Sequence, residues 1–144
     1  MQLAKLQKNI RNLILDNFNR ILNSDLGYSI GRVLIGFYFF FFGLMKIPSF
    51  TETHAFMITK SVPFVDITIL LTIFIQVVFG ALIIINKNVR FSALMLFVLT
   101  LLINTYIHNF WNLLPSENFD HELQNFVKNL GIAAGLLILT KYNK

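Results

Sequence analysis

The chain has 144 residues, 56% hydrophobic, 15% aromatic and only 13% charged, with a mean hydropathy of +0.66; that is too apolar for an ordinary soluble domain and describes one membrane domain. Its formal net charge of +5 does not indicate nucleic acid, because the basic residues gather at the ends of apolar runs, where anionic lipid headgroups account for them. Cysteine is absent, which removes disulfides, thiolate metal sites and CxxC redox chemistry, so any electron-transfer role needs an external cofactor.

Residues 1–25 form a first segment. The apolar run after them is longer than the ~7–15 residues of a cleavable signal and no small-x-small site closes it, so the segment is expected to be retained. On a helical wheel Leu3, Leu6, Ile10, Leu13, Ile14 and Ile21 fall on one side and Lys5, Lys8, Asn12, Asp16 and Arg20 on the other. Two readings share this periodicity: a basic amphipathic helix lying on the membrane surface, and one packing on its own bundle.

Asn23, Ser24 and Asp25 interrupt that helix and offer N-cap oxygens to the next. Residues 26–144 then read as a domain with four apolar spans, at about 26–45, 66–85, 91–107 and 121–140. A polar loop containing Glu52, His54 and Lys60 follows the first span, and Pro63 marks the start of the second helix. The short Asn86-Lys87-Asn88 turn makes spans two and three antiparallel neighbours. A connection with Pro115, Glu117, Asp120 and Glu122 leads to span four. The predicted fold is all-α, a transmembrane four-helix bundle preceded by an amphipathic interfacial helix. Lys5, Lys8, Arg11, Arg20, Lys87, Arg90, Lys141 and Lys144 flank one side, against Lys46 and Lys60 on the other, so both termini are expected in the cytoplasm.

The polar residues inside or beside the spans are the candidates for function. Arg32, Gly36, Gly43 and Lys46 lie in one stripe of span one, with Arg32 towards the cytoplasm and Lys46 at the far end, so the two cations cannot form one site. Arg32 either snorkels to phosphates or holds a headgroup or partner. Asn104, His108 and Trp111 share a face of span three at its outer end, and Lys128 starts span four from the same side. Lys46, His108 and Lys128 therefore share a membrane level, with Phe110 and Trp111 as an aromatic wall. Such a set could bind a quinone carbonyl, a carboxylate or a sulfur oxyanion. Equally, Trp111 suits an interfacial anchor, His108 and Gln76 interhelical hydrogen bonds, and Lys46 and Lys128 either snorkelling to the interface or ion pairs with Glu117, Asp120 and Glu122. Lys128 aligns with Gly131 and Gly135, a GxxxG spacing expected to face the bundle as a tight seam. Gln76, at the middle of span two, can donate and accept hydrogen bonds but cannot carry protons by ionising. No HExxH, P-loop, GxGxxG, metal-spaced cluster or nucleophile–base pair is present.

From about Gly31 to Leu139 the chain resembles the DoxX family of small four-span membrane proteins. The resemblance rests on Gly31-Arg32-Val33-Leu34-Ile35-Gly36, Gly43-Leu44-Met45-Lys46, Gly80, Arg90-Phe91-Ser92-Ala93-Leu94, His108-Asn109-Phe110-Trp111 and Gln124-Asn125-Phe126-Val127-Lys128-Asn129-Leu130. It implies a bacterial or archaeal inner-membrane bundle, in some members a subunit of quinone-linked oxidoreductases and in others a partner in oxidative-stress assemblies. The family commonly has a glutamate where this chain has Gln76. The leading expectation is a membrane subunit that binds quinone or a similar amphiphile through Lys46, His108, Trp111, Lys128, Asn104 and Gln76 and supports an oxidoreductase partner. The alternatives are a scaffold whose glycine seams bind another membrane protein, and a small transporter that works as a homo-oligomer.

Overall fold

The computed structural model describes residues 2–22, 25–113 and 118–141. Asn23, Ser24, Pro115, Glu117 and Lys144, used in the readings above, lie outside them. The described elements are helical: α1 (Gln2–Leu22), α2 (Leu26–Met45), α3 (Phe50–Thr59), α4 (Val65–Ile84), α5 (Val89–Tyr106), a 3-10 turn (Phe110–Asn112) and α6 (Phe119–Lys141). The chain divides into two compact units, Met1–Arg32 and Val33–Lys144.

In the first unit, α1 is amphipathic as its periodicity predicts, and Leu3, Leu6, Ile10, Leu13, Ile14 and Phe18 are exposed along it. Arg20 sits in its last turn, where a cation complements the negative end of the helix dipole.

In the second unit, α4 buries Ile69, Thr72, Gln76, Gly80 and Ile83. These recur every three or four residues, the period that puts them on one face. The matching stripe of α5 is Ser92, Ala93, Leu96, Leu99, Thr100 and Asn104, and that of α6 is Ala133, Leu136 and Leu139. The opposite side of α4 exposes Ile67, Leu70, Leu71 and Phe74. Lipid, not water, is the solvent that tolerates such a face. Four helices among the described residues, of 20, 20, 24 and 23 residues, are long and apolar enough to cross a membrane. At ~1.5 Å per residue each matches the ~30 Å hydrocarbon layer. The protein is therefore a multi-pass membrane protein.

Glycines set the α2–α4 contact. A Cβ at Gly80 would stand 2.7 Å from Phe40 N and 2.9 Å from Gly36 O, and one at Gly43 would stand 2.8 Å from Gln76 Cβ. Backbone is thus in contact with backbone, as small residues permit inside lipid. The predicted Gly131–Gly135 seam is corrected. Gly131 is exposed and has nothing within 4 Å of a Cβ position, while a Cβ at Gly135 would meet Ile35 Cδ1 at 3.0 Å. The inward face of α6 is carried by Ala133, Leu136 and Leu139 instead.

The predicted polar loop after span one is also corrected, because ten of its residues form α3. Its polar side chains conceal an apolar side: Met57 is buried with Val62 and Ile69, and Phe50, Val65, Ile73 and Ile107 pack against that group. His54 Nε2 lies 3.0 Å from Asp66 Oδ1 in the first turn of α4, tying the two helices together. The second span begins at Val65, two residues beyond Pro63, after Phe64 takes a left-handed conformation at φ 48°. Asn86 and Asn88 also have positive φ, of 60° and 48°. Asparagine tolerates that region, so the short turn between α4 and α5 closes without glycine.

Candidate functional site

The tight α2–α4 crossing and the α5–α6 pair enclose a cavity of about 140 Å³. Phe39 and Lys46 line it from the α2 side, Gln76 from α4, Thr100 and His108 from α5 and its following turn, and Asn129 from α6. Tyr38 and Phe42 complete the α2 wall and remain 39% and 45% exposed, so this wall reaches the outer surface of the bundle. A second cavity, of about 230 Å³, shares Lys46, Ile103 and His108 with the first and extends beneath α3 to Thr53, Phe56 and Met57.

Each polar group in this region has a traceable cause. Lys46 follows the last residue of α2, and its Nζ donates to Phe42 O at 3.3 Å. No carboxylate lies within ion-pair distance of it among the described residues. Burial lowers its pKa below the usual lysine range, since the charged form loses solvation. Gln76 stands beside Gly43, one turn of α2 below Lys46; it is 4% exposed, and its Oε1 has no hydrogen-bond partner. An amide oxygen left unpaired away from water costs ~1–3 kcal/mol.

His108 is held by a carboxylate. Its Nδ1 lies 2.7 Å from Glu122 Oε2, while Glu122 Oε1 accepts from Lys60 Nζ at 2.9 Å. The three side chains are only 18%, 12% and 16% exposed. The contact with that carboxylate fixes the orientation of the ring. Asn129 Nδ2 donates to Asn104 Oδ1 at 2.9 Å, and Asn104 Nδ2 donates to Phe126 O at 3.1 Å.

The structure thus brings Lys46, Gln76 and His108 to one cavity, with Asn104 in the hydrogen-bond chain behind Asn129. It does not bring Lys128 there: that residue is exposed on α6, while its neighbour Asn129 lines the wall. Trp111 is 52% exposed and packs edge-to-face on Phe110 and Phe126, with ring centroids 5.3 and 5.8 Å apart, outside the cavity lining. The aromatic wall comes from Tyr38, Phe39 and Phe42. Arg32 belongs to the first unit and does not line the cavity. His54 and His121 are engaged elsewhere, with Asp66 and Asn125. Sequence reading missed Thr100 and Asn129. Asn129 is four residues before Ala133 and seven before Leu136, a spacing that places it on the buried stripe.

Fold and cavity together define a multi-pass membrane bundle with a polar chamber among its helices. The DoxX family model matches residues 27–109. The chain belongs to the DoxX family, and the matched region includes Lys46, Gln76, Asn104 and His108. No curated protein and no solved structure matches the chain significantly.

Proposed function

We propose that this protein is a membrane subunit that holds the head of a quinone or a similar amphiphile between Lys46, Gln76 and His108 and supports an oxidoreductase partner. The observation that carries this is a lysine that no carboxylate neutralises among the described residues, on the wall of a cavity that the buried amide Gln76 and His108 also line. A bound oxygen-bearing head would give the ammonium an acceptor beyond the Phe42 carbonyl that it already meets. The volume limits the ligand. Sites for drug-sized molecules run from ~300 to 1,000 Å³, so this chamber suits a single ring or headgroup. The partly exposed Tyr38 and Phe42 leave its tail a route to lipid.

A quinone head fits the donor set: Lys46 offers an ammonium to a carbonyl oxygen, and Phe39, Phe42 and Tyr38 offer aromatic faces. The bound group would supply the redox chemistry. The chain's own residues bind and orient it, and with no cysteine among 144 residues, electrons are exchanged with the partner. The proposed setting is a bacterial inner membrane, with the Lys87–Arg90 turn and Lys141 on the cytoplasmic side, as the basic flanks favour.

Calorimetric titration of the purified protein in detergent with a short-tailed quinone tests this. Saturable binding by the wild type and its loss in a Lys46→Met, His108→Ala double variant is the expected result. Equal affinity in the two proteins would remove the site. Unaltered assembly with a co-purifying partner, in a protein that binds no amphiphile, would favour the scaffold role instead.

A further inference from the structure

We propose that α1 lies along an anionic phospholipid surface with its apolar face in the bilayer, as a charge-dependent membrane anchor whose role is independent of the cavity. At 21 residues α1 is long enough to cross a bilayer, yet it is not one of the helices apolar enough to do so. Its apolar side chains are nevertheless gathered on one face. At 100° per residue Leu3, Leu6, Ile10, Leu13, Ile14 and Phe18 fall within an arc of about 140°. Among the described residues of its own unit nothing covers that arc, since each of these side chains is half exposed or more. An apolar face of this kind, backed by a charged one, belongs at a boundary between lipid and water.

The charges name the surface. α1 carries Lys5, Lys8, Arg11 and Arg20 against the single acid Asp16. The two arginines stand about 20° outside the two edges of the apolar arc, where the stem of a long side chain follows the apolar boundary and its guanidinium reaches phosphate level. Lys5 and Lys8 lie further back, still within range of a negative surface potential. Gln7 and Asn17 fall inside the arc, so apolar burial is incomplete and the phosphates supply part of the affinity. The chain's own bundle is a poorer occupant. On the side of the membrane where α2 begins, its span ends carry Lys87, Arg90 and Lys141 and one acid, Asp25, so it would meet the bases of α1 with like charge.

The natural chain has no cysteine, so one environment-sensitive fluorophore can be attached to the full-length protein through Ile10→Cys, in the apolar arc, or Asn12→Cys, on the polar face. Each protein is reconstituted in nanodiscs of phosphatidylcholine alone, or of equal parts phosphatidylcholine and phosphatidylglycerol, with a spin-labelled lipid as quencher. The Ile10→Cys probe is expected to be quenched at least about twofold more strongly in the anionic discs than in the neutral ones, and less so in high salt, which screens the surface. The Asn12→Cys probe should be quenched little in either. Adding Arg11→Gln and Arg20→Gln should bring the Ile10→Cys signal in anionic discs down towards the neutral value. Equal quenching of the Ile10→Cys probe in both lipids would overturn the dependence on anionic lipid. A probe at that position that is shielded from water yet not quenched by lipid would assign the face to the bundle or to a protein partner, and one left in water would remove the anchor; either result overturns the proposal and leaves the cavity reading untouched.

Discussion

Glu122 on α6 reaches His108, beyond the end of α5, with Oε2 2.7 Å from Nδ1, while its other oxygen takes the ammonium of Lys60 at 2.9 Å. One carboxylate thus joins the turn after α3, the turn after α5 and the first turns of α6. Removing one partner of such a buried pair leaves the other charge uncompensated, at a cost of ~3–5 kcal/mol. Glu122→Ala should therefore lower the thermal midpoint in detergent strongly. Lys60→Met alone should destabilise too, and the double variant should recover part of the loss. Additive effects in that cycle would mean that the pair is not coupled.

The glycines of the bundle differ in what surrounds them, and substitutions should follow the difference. Gly80→Ala forces a methyl against Phe40 N and Gly36 O, both backbone atoms that cannot rotate away. A loss of ~1–3 kcal/mol is expected, the usual penalty for overpacking. Gly131→Ala adds a methyl to open space and should be neutral, or stabilising by up to ~1 kcal/mol through helix propensity. Chemical or thermal unfolding of the two variants in parallel measures the contrast.

Lys46 should trade stability for binding. Its folded-state pKa lies below the usual lysine range because of burial, so the charged form disfavours the folded state below that folded pKa. As pH rises from it towards the unfolded-state value, the unfolded chain holds more protons than the folded one, and stability increases. Lys46→Met should accordingly raise the thermal midpoint near neutral pH, with the gain shrinking under alkaline conditions, while ligand affinity falls. A variant that is less stable than wild type at neutral pH would assign Lys46 a structural role.

Orientation can be measured cleanly because the natural chain has no cysteine. Single Glu52→Cys and Lys87→Cys variants place thiols at exposed positions in α3 and in the turn before α5. An impermeant maleimide should label the first in intact cells and the second only after permeabilisation. The reverse pattern would invert the proposed topology.

The amide chain behind the cavity gives a further expectation. Asn104 is 2% exposed, donates to Phe126 O and accepts from Asn129. Asn104→Leu orphans both groups, and a loss of ~0.6–2 kcal/mol is expected from interhelical hydrogen bonds of this kind in membranes. Thermal unfolding of the variant beside wild type in detergent reads that loss.

Much of the fold was legible because lipid imposes a coarse code: about twenty apolar residues for a span, with polar residues at its ends. The spans agree with α2, α4, α5 and α6 to within about two residues, the usual uncertainty of helix ends. The stretch after span one hid α3 because Thr51, Glu52, Thr53 and His54 crowd its first half, while apolar residues such as Phe50 and Met57 anchor it. Lys46, Gln76 and His108 stood out as polar groups at apolar levels. Alignment with two glycines leaves Lys128 either snorkelling outward or partnered inside; it is exposed, and one residue further along the helix, a turn of about 100°, the inward position is Asn129. Small residues mark a close contact only where another helix approaches, which spacing alone does not reveal.

The claim that an amphiphile's head lies between Lys46, Gln76 and His108 is tested most directly by photo-crosslinking with a short-tailed azidoquinone in proteoliposomes, followed by peptide mapping. Labelling is predicted on the cavity wall around Phe39, Phe42, Ile103 and Ile132, with competition by unlabelled quinone. Labels confined to lipid-facing positions such as Leu70, Phe74 or Ile138, unaffected by competitor, would contradict it.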